Sequence, residues 1–146
     1  MAQNKRPAVS SNLKAVPFFT QLSEAELEML RSLAAEKHYP KNAVVLTEGE
    51  MGDSLYLIQS GKVKVFIGDQ EGREMILKIL GPGDFFGEMA FFQADGRRTA
   101  DVVADTSLRV WSMFGTAFRE MQMSMPEVAA RLEEAVRERS SASDES

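Results

Sequence analysis

Short apolar runs separated by glycines occupy the middle of this chain. The runs are rich in β-branched and aromatic residues, which favour strands, and they cover residues 44–46, 54–59, 62–67, 74–80 and 100–113. The intervening glycines, which suit turns, are Gly49, Gly52, Gly61, Gly68, Gly72, Gly81 and Gly83. Lysine and valine alternate over residues 62–65, which is typical of a strand with one buried face. Several short strands joined by turns predict a β-barrel or a β-sandwich.

A helix is predicted on the N-terminal side of this β-rich region. Ser23 and Glu26 have the spacing of a capping box, so the helix should begin near Ser23. Pro40 is expected to end the helical region. His38, the only histidine, would then be a partly exposed cap near that end. The apolar residues expected to face the core are Leu27, Leu30, Leu33 and Ala34.

The pattern becomes helical again after residue 114. Phe118 and Met121 belong to one predicted segment, and a second segment follows Pro126. Its apolar residues recur at i, i+4 and i+8, which is typical of an amphipathic helix; they are Val128, Leu132 and Val136. This stripe either packs on the β-rich region or faces a second subunit.

Length and composition exclude several classes of protein. A chain of 146 residues is long enough for one domain with a sizeable core. With 17 basic and 22 acidic residues the net charge is −5, which argues against nucleic-acid binding. No apolar run approaches the ~20 residues that cross a bilayer, and no signal peptide is evident. The absence of cysteine excludes disulfides and cysteine nucleophiles and fits a cytoplasmic location.

The segment from residue 85 to 100 carries the most specific chemistry. It reads Phe85-Phe86-Gly87-Glu88-Met89-Ala90 and, after a short gap, Gly96-Arg97-Arg98-Thr99-Ala100. A helix opening at Glu88 would direct backbone N–H groups toward an anion, and Gly87 would let that anion approach the main chain. Arg98 can donate two parallel hydrogen bonds to the exocyclic oxygens of a phosphodiester. The carboxylate of Glu88 can accept one from a ribose 2′-hydroxyl.

In these residues the chain resembles the cyclic nucleotide-binding domains, whose phosphate-binding cassette runs Gly-Glu, a small helix, then Arg and a small or hydroxyl residue. The likeness includes Gly81-Pro82-Gly83-Asp84 and covers roughly residues 17 to 138. It implies a mainly β fold with flanking helices: an eight-stranded β-roll (a jelly-roll-like double-stranded β-helix) with an embedded cassette helix and C-terminal lid helices. We expect a disordered leader at 1–16, one cyclic nucleotide-binding domain at 17–139 and a disordered tail at 140–146.

The resemblance also implies a set of ligand contacts in this chain. The implied ligand-binding residues are Gly87, Glu88, Met89, Ala90, Arg98 and Thr99. A threonine at position 99 reaches either the phosphate or the 2-amino group of a syn guanine. The sequence Arg-Thr-Ala is similar to cassettes of cyclic-nucleotide-gated channels and cGMP-dependent kinases, so cAMP and cGMP both stay open as ligands. Arg131 is a candidate lid contact with the base.

The function implied by the resemblance is that of a stand-alone sensor rather than an enzyme. The ligand binds in the cassette, the C-terminal helix covers its base, and the moved helix changes a surface for an unidentified effector protein. The family's bacterial transcription factors carry a helix-turn-helix after the sensor domain, and we expect none in this chain. A homodimer through the C-terminal helix stays open. No cofactor, metal or catalytic residue is expected.

Three alternatives are kept beside the sensor of cAMP or cGMP. The first is a cyclic dinucleotide as the ligand, for which Arg73 and Arg97 are the nearby additional arginines. The second is a scaffold that keeps the roll without binding a ligand, against which the intact Gly87, Glu88 and Arg98 argue. The third is a cupin-type enzyme, which needs several histidines around a metal and is disfavoured by the single histidine of this chain.

Overall fold

Strands make up most of the folded chain, with helices at both ends. The computed structural model describes residues 21–68, 71, 74–88, 98 and 100–144. In chain order the elements are α1 (Glu24–Leu33), β1 (Ala35–Tyr39), β2 (Val44–Leu46), β3 (Leu55–Ser60), β4 (Val63–Gly68), β5 (Glu74–Leu80), β6 (Phe85–Phe86), β7 (Asp101–Ala104), β8 (Leu108–Met113), α2 (Gly115–Ser124) and α3 (Pro126–Asp144).

The strands form two four-stranded sheets. Sheet A has the order β1-β8-β3-β6, and sheet B has the order β2-β7-β4-β5. All of the pairings are antiparallel, and most of them join strands that are distant in sequence. The chain therefore passes repeatedly from one sheet to the other, as in a jelly roll. The predicted mainly β fold of eight strands with flanking helices is confirmed.

One hydrophobic core lies between the two sheets. Sheet A contributes Tyr56, Ile58, Phe86, Leu108 and Val110, and sheet B contributes Leu46, Val63, Val65, Leu80, Val102 and Ala104. The alternation predicted for residues 62–65 is confirmed, because Val63 and Val65 are only 0% and 6% exposed. The inner faces of both sheets are therefore apolar, and the interior of the roll is a packed core.

A second core lies between the other face of sheet A and the helices. Successive residues of a strand point to opposite faces, so Leu55 and Leu57 face the helices while Tyr56 faces sheet B. The helices contribute Leu30, Phe118, Met121, Val128, Ala129, Leu132 and Val136 to this core, and Leu22, just before α1, also belongs to it. The predicted stripe of α3 is confirmed, and it packs on sheet A.

The first helix begins as predicted but ends earlier. The backbone N–H of Ser23 donates to Glu26 Oε1 at 3.0 Å, and the backbone N–H of Glu26 donates to Ser23 Oγ at 3.1 Å, which completes the capping box. The expectation of a helical region reaching Pro40 is wrong, because residues 35–39 pair with β8. His38 lies on that strand opposite Arg109, with a 63% exposed side chain, and is no helix cap.

Two further boundaries differ from the sequence-based expectation. The run from 100 to 113 is divided into β7 and β8, which lie in different sheets and are joined by a turn at 105–107. The backbone N–H of Asp105 donates to Lys62 O at 2.8 Å, which connects this turn to the residue before β4. Helix α3 extends past the expected boundary at residue 139 and ends at Asp144. Among the described residues, no helix is long and apolar enough to span a membrane.

Candidate functional site

Gly87 follows strand β6 and has a backbone conformation that suits glycine. Its φ is +82°, in the left-handed region. A β-carbon at this position would lie 2.8 Å from the main-chain oxygen of Ser54 and 3.1 Å from Arg98 Nη1. Glycine is therefore required both by the conformation and by the close packing around it. Glu88, the next residue, is helical and partly buried.

Arg98 is bound into the fold through its backbone and its side chain. Its backbone N–H donates to Glu50 O at 2.9 Å, and its carbonyl accepts from the N–H of Gly49 at 2.9 Å. Its guanidinium Nη1 donates to the main-chain oxygen of Gly87 at 3.2 Å. A β-carbon at Gly52 would lie 3.3 Å from both Nε and Nη2 of the same guanidinium. The fold thus encloses this arginine between the loop of residues 49–53 and Gly87.

The charge of Arg98 lies in a poorly hydrated place. The residue is only 7% exposed, and burial lowers the pKa of its guanidinium, while Tyr56 and Asp53 oppose that shift. The nearby carboxylate of Asp53 acts on this charge electrostatically, and the guanidinium Nη1 donates to a neutral main-chain oxygen, that of Gly87. Buried charges are normally paired, because desolvation of an unpaired ion is costly. An anion hydrogen-bonded to Arg98 would neutralise this buried charge directly.

An aromatic ring supports the guanidinium. Arg98 Cζ lies over the ring of Tyr56, 5.9 Å from its centroid. That ring is stacked on Phe86 with a centroid distance of 4.8 Å and an interplanar angle of 3°. Tyr39 has a raised pKa, mainly because it is desolvated and also because it interacts with and hydrogen-bonds to Tyr56. The sequence analysis did not single out Tyr56. Its place in the predicted strand at residues 54–59 was the only feature of the sequence that could have drawn attention to it.

Asp53 connects the neighbourhood of Arg98 to the start of the C-terminal helices. A β-carbon at Gly115, the first residue of α2, would lie 2.5 Å from Asp53 Oδ2, so the carboxylate packs directly on this glycine. Phe114, the N-cap of α2, provides no side-chain hydrogen bond to the helix. The carboxylate of Asp53 at this terminus is favourable for the helix dipole. Sequence reasoning also missed Asp53, because its proximity to α2 arises only from the tertiary fold.

Some of the predicted site residues are in contact in the structure, and others lie outside the described residues. Gly87 and Arg98 are in direct contact, and Glu88 adjoins Gly87. The remaining predicted cassette contacts, Met89, Ala90 and Thr99, lie outside the described residues, as do Arg73 and Arg97.

Arg131, the candidate lid contact, interacts with the N-terminal helical region in this structure. Its guanidinium donates to the main-chain oxygen of Gln21 at 3.5 Å and lies 3.7 Å from Glu26 Oε2. Its Nε also donates to the main-chain oxygen of Glu127 at 3.4 Å. These contacts join α3 to α1. A contact between Arg131 and a ligand base stays a prediction.

The described residues offer no obvious metal centre. Within them, no group of three or more His, Cys, Asp and Glu side chains is placed to hold a metal ion. The chemistry that the described site does offer is a buried cation beside a glycine in the left-handed conformation. Such a site can bind an anion through charge-assisted hydrogen bonds.

The sequence and fold match those of known proteins. Residues 36–124 match the family model for the cyclic nucleotide-binding domain. The chain is 32% identical over 120 residues to the cyclic AMP receptor protein of Thermus thermophilus, covering 82% of this chain and 55% of that protein. It is 37% identical over 99 residues to cGMP-dependent protein kinase, isozyme 2 forms cD5/T2, of Drosophila melanogaster, covering 67% of this chain and 10% of the kinase.

A solved structure gives the same result for the fold. The N-terminal domain of a transcriptional regulator from Streptomyces coelicolor is 30% identical, with a TM-score of 0.74. The match covers 92% of this chain and 94% of that domain. The chain spans little more than half of the Thermus protein and a tenth of the kinase, so their whole-protein activities do not transfer with the match.

Proposed function

Because the chain belongs to the cyclic nucleotide-binding domain family, we propose that it is a sensor that binds cAMP or cGMP at the segment from Gly87 to Thr99. The observation that carries this proposal is the buried guanidinium of Arg98, which donates a hydrogen bond to the main-chain oxygen of Gly87. A nucleotide phosphodiester carries one negative charge at neutral pH and would neutralise that guanidinium. The names of the relatives include both a cAMP receptor and a cGMP-dependent kinase, so they favour neither base.

The proposed phosphate contact uses the geometry of Arg98. A guanidinium has five N–H donors, and the hydrogen bond to the carbonyl of Gly87 uses one of them. That bond fixes one edge of the planar group, so that other donors are available to the exocyclic oxygens of a phosphate. Gly87 lets the phosphate approach the main chain, since no side chain stands at that point.

The remaining contacts of the proposed site extend from the phosphate to the rest of the nucleotide. Glu88 is proposed to accept a hydrogen bond from the ribose 2′-hydroxyl, as its place after Gly87 implies. Backbone groups at Met89 and Ala90 are proposed to face the phosphate. Thr99 is proposed to contact either the phosphate or a guanine amino group, and this choice decides the preference between the two nucleotides.

The signalling step is proposed to pass through the C-terminal helices. Their apolar residues pack on sheet A, and Asp53 connects the first turn of α2 to the loop that encloses Arg98. A ligand shifts the position of α3 only if it binds more tightly to one position than to the other. The effector protein, the absence of nucleic-acid binding, a cytoplasmic location and a homodimer through α3 stay predictions.

The experiment that tests the proposed function is isothermal titration calorimetry on nucleotide-stripped protein. cAMP, cGMP and cyclic di-GMP are titrated separately, and circular dichroism shows that the protein is folded. Binding of cAMP or cGMP with a Kd in the micromolar range or below supports the proposal and identifies the preferred base. Preferential binding of the dinucleotide would replace the ligand, and no binding of any of the three would contradict the proposal.

A further inference from the structure

We propose that Tyr56 is a positioning residue, which holds the guanidinium of Arg98 in the orientation that an anion requires without contacting the ligand itself. Nothing in the Gly-Glu and Arg motifs of the sequence indicates such a residue. The consequence for nucleotide affinity rests on the proposed function, whereas the positioning is a property of the ligand-free protein. The two claims can therefore fail separately.

The first argument is that Gly87, Arg98 and Tyr56 converge on one point. A β-carbon at Gly87 would lie 3.1 Å from Arg98 Nη1 and 3.3 Å from Tyr56 Cδ1. Arg98 Cζ lies over the tyrosine ring at 5.9 Å from its centroid, within the range of a cation–π interaction. The guanidinium is thus confined by the ring and by the carbonyl of Gly87, to which it donates at 3.2 Å.

The second argument is that Tyr56 itself is held firmly. It is 6% exposed and belongs to the core between the sheets. On β3 it pairs with Phe86 of β6 and with Ser112 of β8, so its backbone has a neighbour on either side. Its ring is stacked on Phe86 almost in parallel, and its hydroxyl interacts with Tyr39. Because the Tyr56 ring is held in place, it can restrict the orientation of the Arg98 guanidinium that lies over it.

The strand pairing also connects the two halves of the candidate site. Phe86, on which the Tyr56 ring rests, directly precedes Gly87. The ring that supports Arg98 is therefore stacked on the residue that leads into the glycine. A displacement of β6 would move the support of Arg98 and the position of Gly87 together.

The third argument concerns hydrogen-bond donors. A carboxylate would also orient an arginine, but it would occupy N–H donors and compete with a phosphate for the positive charge. An aromatic ring attracts the face of the guanidinium, whereas hydrogen bonds use its edge. Tyr56 can therefore order Arg98 and leave the edge available for an anion. Ordering before binding raises affinity, because a flexible side chain need not be immobilised when the ligand arrives.

The experiment compares three substitutions at Tyr56. Tyr56→Phe keeps the ring and removes the hydroxyl that interacts with Tyr39. Tyr56→Leu removes the ring. Replacement of Tyr56 by pentafluorophenylalanine, introduced site-specifically, keeps the ring's shape approximately and reverses the electrostatic character of its face. The fluorinated variant keeps the proposal testable even if the leucine variant does not fold.

The first readout is nuclear magnetic resonance of the ligand-free protein. The Arg98 Nε–Hε signal is assigned by its loss in Arg98→Lys, and its ¹⁵N relaxation reports the order of the guanidinium. We expect an ordered signal in the parent protein and in Tyr56→Phe, and a mobile one in the leucine and fluorinated variants. An equally ordered Arg98 in the fluorinated variant would overturn the proposal, whatever the protein binds.

The second readout is the affinity for cAMP and cGMP, with adenosine and guanosine as probes that lack the phosphate. The fluorinated variant should bind the cyclic nucleotide about 5- to 30-fold more weakly than Tyr56→Phe and the nucleoside equally well. In an Arg98→Ala background the same replacement should cause no further loss. Equal losses for nucleotide and nucleoside would assign Tyr56 to packing alone. If the parent protein binds neither nucleotide, the proposed function fails and the relaxation measurement still decides the role of Tyr56.

Discussion

The guanidinium of Arg98 donates a hydrogen bond to the main-chain oxygen of Gly87 at 3.2 Å. The two residues belong to separate parts of the sequence motif, and this bond makes them one local structure. Gly87 is in the left-handed conformation, and the backbone of Arg98 is held by Glu50 and Gly49. The arrangement that is proposed to bind an anion is therefore held by contacts within the fold itself.

Gly87→Ala is expected to destabilise the protein as well as its site. A non-glycine residue at φ +82° is strained, and the new methyl group would lie 2.8 Å from Ser54 O. The free energy of unfolding should fall by about 1–3 kcal/mol, measured by urea denaturation. The matched control is Gly81→Ala, whose new β-carbon would lie 4.0 Å from Lys62 Cγ, an ordinary van der Waals contact. This substitution should change the free energy of unfolding by less than about 0.5 kcal/mol. Equal effects of the two substitutions would contradict this account of Gly87.

Leu132→Ala tests how firmly α3 is packed on sheet A. Leu132 is 4% exposed and lines an apolar cavity of about 30 Å³ together with Leu30, Leu57 and Trp111. Truncation enlarges an existing void and should lower the free energy of unfolding by about 2–5 kcal/mol. Arg137→Ala, on the exposed side of the same helix, should cost less than about 1 kcal/mol. A near-neutral Leu132→Ala would mean that α3 does not rest on the sheet in solution.

The raised pKa of Tyr39 predicts a loss of stability in alkali. The folded state retains the phenolic proton to higher pH than the unfolded chain does, chiefly because of burial and also because of Tyr56. The stability that the protonated Tyr39 contributes to the folded state is therefore complete below pH 10, and it declines as the pH rises from 10 toward the folded-state pKa. Urea denaturation between pH 8 and about 11.5 measures this decline. Tyr39→Phe should show a smaller decline than the parent protein, and an identical slope in both proteins would refute the assignment.

Thr99→Ala tests the selectivity between bases. If the hydroxyl contacts the guanine amino group, the substitution should weaken cGMP more than cAMP, by up to about tenfold. Calorimetry with both nucleotides gives the ratio of affinities. Thr106→Ala is a suitable control, because the Thr106 hydroxyl accepts from the backbone N–H of Lys62 in a turn. Equal losses for cAMP and cGMP would place the Thr99 hydroxyl on the phosphate.

Local patterns in the sequence predicted the elements whose structure is decided locally. The capping box at Ser23, the alternation of residues 62–65 and the apolar stripe of α3 all have the expected structure. Strand β1 was missed, because its conformation is determined by pairing with the distant β8 and not by local propensity. The prediction that His38 caps a helix was wrong for the same reason, because His38 lies on this strand.

The candidate site shows the same division between local and long-range information. Gly87, Glu88 and Arg98 were predicted because their residue types and order resemble those of a phosphate-binding cassette. Tyr56 and Asp53 carry no such motif. They became visible only when the fold placed β3 and the loop before it beside Arg98.

The central claim is tested most directly by the affinity of Arg98→Ala for cAMP and cGMP, measured by calorimetry on folded protein. Removal of the charged partner of a largely buried phosphate should cost about 2–5 kcal/mol, which is a loss of roughly thirtyfold to several thousandfold. Arg109→Ala is the control, because Arg109 pairs with Glu36 at 3.0 Å on the outer part of β8 and should leave affinity within about twofold. An Arg98→Ala protein that binds either nucleotide as tightly as the parent protein would contradict the claim.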